Sequence, residues 1–269
     1  MRIALLFASL TLASACAQPE VTVRFEGLVA GQPAQCGRTY DGIGTTGTTL
    51  ELLDYRLYIH DVRVVTEDGR EVPLALTPDD RWQNERVALL DFEDGCESGT
   101  AETNASIRGT AAEPGPFTGV RFTLGLPADL NHADASTATA PLNYSSMFWS
   151  WNAGYKFMRV EGRTTGLPDG WSFHLGSVRC EGDGRGNITG CLQENRAPVA
   201  LDGFDPETGA IAVDLAAILD TSDLDIDGGG PGGCESGASD PECGPLFHAL
   251  GLPSGGAPAE GPQRLFAVQ

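Results

Sequence analysis

Six cysteines lying beyond an export signal limit this chain more than any other feature it carries. Met1-Arg2 is a short positive start, Ile3 to Leu12 an apolar run, and Ala13-Ser14-Ala15-Cys16 its close. Together these are the three parts of a secretory signal, too short to span a bilayer. Two processing routes fit the tail. Ala13-Ser14-Ala15 before Cys16 resembles a lipoprotein cleavage box, with Cys16 becoming the acylated first residue. Ala15-Cys16-Ala17 also offers a small-x-small site to ordinary signal peptidase. Either route exports the chain. The organisation is read as a lipoprotein-type signal over residues 1–16, with Cys16 the candidate lipidation site, and one β domain over 17–269.

Export puts Cys36, Cys96, Cys180, Cys191, Cys234 and Cys243 in an oxidising compartment, where an even count reads as a disulfide framework. Six cysteines allow fifteen pairings. Locality favours Cys180–Cys191, Cys234–Cys243 and Cys36–Cys96. The short loops contribute roughly 3 kcal/mol each by loop-closure entropy and the long one roughly 4. A zinc or thiolate site would need close C-x-x-C pairs, and the sequence has none.

Between the cysteines the chain is punctuated by 35 glycines and 17 prolines, too many for a helical bundle, yet it keeps a hydrophobic share of 41%. Val21 to Phe25 alternates with period two, as a half-buried strand does. Leu53 to Val65 is apolar on both faces and fits a central strand, closed by a turn at Glu67-Asp68-Gly69-Arg70. Val87 to Phe92, Gly119 to Leu126, Met147 to Val160, Trp171 to Cys180 and Ala210 to Leu215 complete the set, with a short helix at Leu215 to Leu219. The fold class that follows is all-β, an antiparallel β-sandwich with long disulfide-pinned loops. The formal net charge of −20 excludes a basic nucleic-acid surface and disfavours an anionic membrane, leaving a lipid anchor as the membrane contact.

Candidate chemistry is sparse. There is no G-x-S-x-G elbow, no dinucleotide or phosphate loop, and no free cysteine once the disulfides form. A metal site would therefore rest on imidazole, which suits copper and zinc. Of four histidines, His60 sits in the central strand beside Asp61, His132 in the loop LNHAD, and His174 in WSFHLGS. His248 reads as a surface or packing residue. Trp149 and Trp151, with Tyr155 and Phe157, would share one face of a continuous strand. Such a row is either half of the core or an oxidisable aromatic track. Asp223, Asp225, Asp227 and Gly228 imitate the start of a calcium loop, but Cys234 stands where its glutamate belongs, so a solvated acidic loop competes with calcium.

The stretches DYRLYIHDVRV, VALLDFEDGC, FTLGLPADLNHADASTATAPLN, MFWSWNAGYKFMRVEG, WSFHLGSVRC and GCESGASDPEC with PLFHALGL run in order through most of the mature chain. In them the sequence resembles the MbnP-type, methanobactin-associated periplasmic proteins, four-Cys-motif partners of di-haem peroxidase-like enzymes. The resemblance implies a non-enzymatic, periplasmic or outer-membrane-attached protein that binds one copper ion. It also implies a partner, a MauG-like di-haem peroxidase of the MbnH type, that oxidises a tryptophan of the W-x-W pair, here Trp149 and Trp151, to kynurenine. The histidines in the matching stretches, and so the implied metal ligands, are His60, His132 and His174. The loop from Asp220 to Gly233 is longer than the resemblance leads one to expect. The competing reading is a non-catalytic cell-surface interaction lipoprotein with structural aromatics and no metal.

Overall fold

Alternation places every second side chain of Val21 to Phe25 inward, and the chain enters the fold there as β1 (Glu20–Val29). Two short strands, β2 (Gln32–Pro33) and β3 (Thr39–Ile43), lead to β4 (Thr48–Thr66), the longest element at 19 residues. The Asp68-Gly69 turn returns β4 into β5 (Glu71–Leu76), and β6 (Val87–Asp91), β7 (Ser106–Ala111) and β8 (Phe117–Leu124) follow. Next come β9 (Phe148–Ser150), β10 (Gly154–Tyr155), β11 (Met158–Thr164), β12 (Trp171–Leu175), β13 (Val178–Gly182) and β14 (Ile188–Gln193). The chain closes with β15 (Ala197–Asp202), β16 (Ile211–Asp214), α1 (Ala216–Leu219), β17 (Gly233–Cys234), α2 (Cys243–Ala249) and β18 (Phe266–Val268). This computed structural model describes residues 18–96, 99–150, 152–183, 187–237 and 239–269. Cys16 and Trp151 lie outside the described residues.

The architecture is all-β and sandwich-like, a curled sheet organised around β4. One edge of β4 is taken in turn by β3, β6 and β5, the other by β11 and then β8. Asp54 to Ile59 is buried without a break, so both faces of the strand are covered there. The strand bends where the register with β8 slips between His60 and Arg63, at the positive φ of Asp61. Pairing is antiparallel throughout the described sheets except for β1 with β16 and β12 with β17. Tyr55, Leu57, Ile59, Val160, Phe173 and Leu175 are wholly buried in the core, and the Tyr55 hydroxyl donates to Val213 O at 2.9 Å.

The three disulfides are Cys36–Cys96, Cys180–Cys191 and Cys234–Cys243. The first ties the segment before β3 to the loop after β6. The second crosses the β13–β14 hairpin, and the third joins β17 to the first turn of α2.

Two expected strands are broken, the first into three pieces and the second into two. Met147 to Val160 does not run straight: Ser145–Met147 is a 3₁₀ turn, β9 reverses into β10, and β11 starts only at Met158. Gly154, at a φ of 84°, opens β10 where the pairing with β9 is irregular. Trp149 therefore does not share a strand face with Tyr155 and Phe157, which are wholly buried. Trp171 to Cys180 breaks at Gly176-Ser177, so His174 stays in the main sheet while Cys180 leaves for a hairpin of its own. Local alternation continues across both breaks, which is why periodicity alone does not find them.

Cys36 and Cys96 close a separation of 60 residues across the β4 region. Replacing both by alanine should lower unfolding stability by about 4 kcal/mol, the loop-entropy value for that length, with the fold retained. Urea midpoints of the variant and the parent check it.

Candidate functional site

β11 sets Arg159 opposite His174 and Glu161 opposite Ser172 on β12. Along its other edge it sets Arg159 opposite Arg56 and Glu161 opposite Asp54 on β4. Residues two apart in a strand share a face, so Asp54, Arg56, Arg159, Glu161 and His174 form one polar row across three strands. Charge closes the row. Arg56 pairs with Asp54, Arg159 Nη1 lies 2.8 Å from Asp54 Oδ2, and Arg159 grips Glu161 through two bonds of 2.8 Å. Charges this buried are tolerated only when paired in this way. Burial works to raise the Glu161 carboxyl, but hydrogen bonds from His174 and Arg159 hold it down at about 2. At the other end, Asp91 on β6 faces Arg56, and its Oδ2 is buried without a hydrogen-bond partner. Desolvation drives that carboxyl up to about 8 against the pull of Arg56.

His174 is the end of the row nearest a surface cleft. Its Nε2 lies 3.0 Å from Glu161 Oε1, and an ionised carboxylate only accepts, so Nε2 carries a proton. In the neutral ring Nδ1 is then a bare acceptor. That nitrogen is buried with no aligned hydrogen-bond partner, while Glu235 Oε1 stands 3.0 Å from it. Two acceptors at that distance repel unless a cation, a proton or a metal ion, serves both. The His174 ring holds the Glu235 carboxyl below the ordinary glutamate range.

Trp149 lies edge-on to His174, with ring centroids 6.3 Å apart and planes at 61°. Its place depends on Gly176, where an added Cβ would stand 2.4 Å from Trp149 Cζ3 and 2.8 Å from Tyr155 O. Half-buried Trp149 and Glu235 line a cleft of about 300 Å³ together with Asn152, Ser177 and Cys180. The break after β12 is held by side chains: Ser236 Oγ donates to His174 O at 2.8 Å and accepts from Gly176 N at 3.0 Å.

The other residues singled out in the sequence lie elsewhere. His60, at the bend of β4, donates from Nδ1 to Gly125 O at 2.8 Å, and burial lowers its pKa. His132 stands against the Cys180–Cys191 disulfide, with Nε2 3.5 Å from Cys191 Sγ. His248, in the last turn of α2, has Nδ1 3.4 Å from Glu260. No group of three metal-capable atoms within 4.8 Å among the described residues contains two histidines, so His60, His132 and His174 are not gathered into one ligand set. The calcium-like aspartates also diverge. Asp225 accepts from Thr46, Thr48 and the Gly166 amide, Asp223 from the Asp225 amide, and Asp227 from the Gly229 amide.

The MbnP family model matches residues 18–236, a span that holds Trp149, His174, Glu161 and Glu235. The chain is also similar to the solved structure of MbnP from Methylosinus trichosporium, with a TM-score of 0.80 and 32% identity over 93% of this chain and 98% of that one. The chain belongs to the MbnP family. A comparison with curated proteins finds no match.

For this MbnP-family chain, sequence reading names Trp149 and His174 but not the two carboxylates that flank the His174 ring. Glu161 carries a readable sign, since a charge at every second position of Arg159-Val160-Glu161 marks a polar face on a strand otherwise apolar. Glu235 carries none, because a parallel pairing of β17 with β12 brings it in from about sixty residues away. Lys156, the one lysine in the sequence, is half-buried near the same carboxylates and donates to Ser146 O at 3.2 Å.

Two outcomes follow for the MbnP fold. Gly176→Ala should displace the Trp149 indole and cost about 1–3 kcal/mol, as overpacking does; a shifted tryptophan emission and a lower urea midpoint would show it. Asp91 binds a proton in the folded state between about 4 and about 8 that the unfolded chain has lost, so its contribution to stability falls as pH rises through that window and levels off above it. Asp91→Asn should remove that slope, and urea midpoints of both proteins at pH 5 and pH 8 measure the difference.

Proposed function

We propose that this protein is an exported, non-catalytic copper-binding member of its family, with the metal centre in the cleft where Trp149, His174 and Glu235 meet. The observation that carries the reading is the buried Nδ1 of His174, which has no aligned hydrogen-bond partner and lies 3.0 Å from a carboxylate oxygen, so that a metal ion can take the place of a proton between them. Glu161 holds the opposite nitrogen protonated and fixes the ring, the arrangement by which a carboxylate orients a metal-binding histidine from behind. Imidazole nitrogen with carboxylate oxygen is a donor set that suits divalent copper. The centre so read uses one of the three histidines expected from sequence and adds Glu235.

Trp149 is, in this reading, a substrate. Its half-buried ring reaches the cleft, where a peroxide-using MauG-like di-haem partner can draw electrons from it. Two equivalents of peroxide open the indole to kynurenine, with ring carbon C2 leaving as formate and one water formed, and the product has an aniline nitrogen and a ketone close to His174, both of them donors. The chain's own residues then act as a frame: Gly176 seats the ring, Glu161 and Arg159 hold the imidazole, and Ser236 fixes the strand end. Handling of copper outside the cytoplasm, with the protein either anchored through Cys16 or free in the periplasm, is the role that fits.

The test is copper stoichiometry and tandem mass spectrometry of the peptide spanning Met147 to Lys156 after co-expression with the partner. The expected result is about one copper per chain and kynurenine at Trp149. His174→Ala and Glu235→Gln should lower copper affinity at least tenfold, while His60→Ala leaves it unchanged. Unmodified tryptophan at both Trp149 and Trp151 beside an active partner, with no copper bound, would leave the interaction-lipoprotein reading in its place.

A further inference from the structure

The Cys180–Cys191 disulfide differs in setting from the other two. Cys234 and Cys243 are fully buried and the half-exposed Cys36 pairs with the nearly buried Cys96, whereas Cys180 and Cys191 are both half-exposed. They face each other across β13 and β14, a hairpin that pairs only with itself, so the main sheet does not depend on the bond between them. The hairpin is also a wall between two clefts. Cys180 lines the one that holds Trp149 and Glu235, and Cys191 lines another that holds His132, Asp129 and Arg196.

His132 is aimed at that bond by its neighbour. The wholly buried Asn131 accepts the Tyr155 amide on Oδ1 at 3.1 Å, which turns its NH₂ toward His132 Nε2 at 3.1 Å. Nε2 therefore accepts and is unprotonated. Cys191 Sγ lies 3.5 Å from the same nitrogen, and Nε2 with the two sulfurs forms a group within 4.8 Å. Two sulfurs and one imidazole nitrogen make a soft, three-donor set.

We propose that this disulfide is the closed form of a second metal site, distinct from the Trp149–His174 cleft, which on reduction binds one monovalent copper ion through Cys180 Sγ, Cys191 Sγ and His132 Nε2, the ion taking over the Nε2 lone pair from the Asn131 amide. The reductant is a dithiol. Its two thiols become a disulfide as the Cys180–Cys191 bond takes up two electrons and two protons, and binding of the ion then releases those two protons from the sulfurs. Thiolates select monovalent copper, and a neutral imidazole completes a trigonal set.

The experiment uses the full mature chain. It is treated with dithiothreitol, freed of it anaerobically, mapped for thiols by peptide mass spectrometry, and titrated with monovalent copper against a chromophoric chelator. The expected result is free thiols at Cys180 and Cys191 only, one more monovalent copper per chain than the oxidised protein takes, and an ultraviolet thiolate-to-copper band. His132→Ala should weaken that extra ion at least tenfold, and Cys180→Ser with Cys191→Ser should abolish it, with circular dichroism unchanged in both. His174→Ala should leave it in place, which separates failure of this proposal from failure of the first site. Thiols that form but gain no copper, an extra ion indifferent to His132→Ala, or a bond that resists the dithiol in the folded protein would each overturn it.

Discussion

Asp54 and Arg56 are buried in the middle of the strand on which every neighbouring strand pairs, and that placement is stable only because Arg159 and Glu161 complete the charge balance from the next strand. Removing any one member would leave a charge in the interior without its partner, which costs far more than the pairing gains. The row thereby fixes the register of β4, β11 and β12 against one another. It also sets His174 behind the cleft, with Nε2 committed to Glu161 and Nδ1 facing Glu235, which lines the cleft. Fold and site are in this sense one structure: the ion pairs that hold the sheet together hold the imidazole still.

The cleft itself is made by interruptions. β12 stops at Gly176, which lets the Trp149 ring lie against the chain where any side chain would collide. β9 reverses at once into β10, so Trp149 stands near the surface while Tyr155 goes to the core. The Tyr155 ring packs on Phe148 at 4.8 Å and on Tyr58 at 6.1 Å, and its hydroxyl donates to Leu142 O at 2.7 Å. One aromatic segment is thus divided between packing and a cleft-facing role by a single turn.

Much of this was legible in the residues. The disulfide pairs followed from locality, the central strand from its two apolar faces, and the sheet class from turn density and alternation. What periodicity could not show was where a strand breaks without losing its alternation, as at Gly176 and after Ser150. Nor could it show which distant loop returns to a strand end. Glu235 reaches His174 only through a parallel pairing of two residues on β17, and no local pattern announces that. The resemblance carried His60, His132 and His174 as one group because a list of histidines has no geometry. The fold assigns them different neighbours: a carbonyl, a disulfide and a pair of carboxylates.

On the proposed reading copper sits at His174 Nδ1 with Glu235 beside it. Anomalous diffraction at the copper edge from crystals of the copper-loaded, oxidised protein tests it directly. The account predicts one anomalous peak at bonding distance from His174 Nδ1, in the cleft lined by Trp149. A peak bonded to His60 or His132 instead, with His174 Nδ1 unligated, would contradict it.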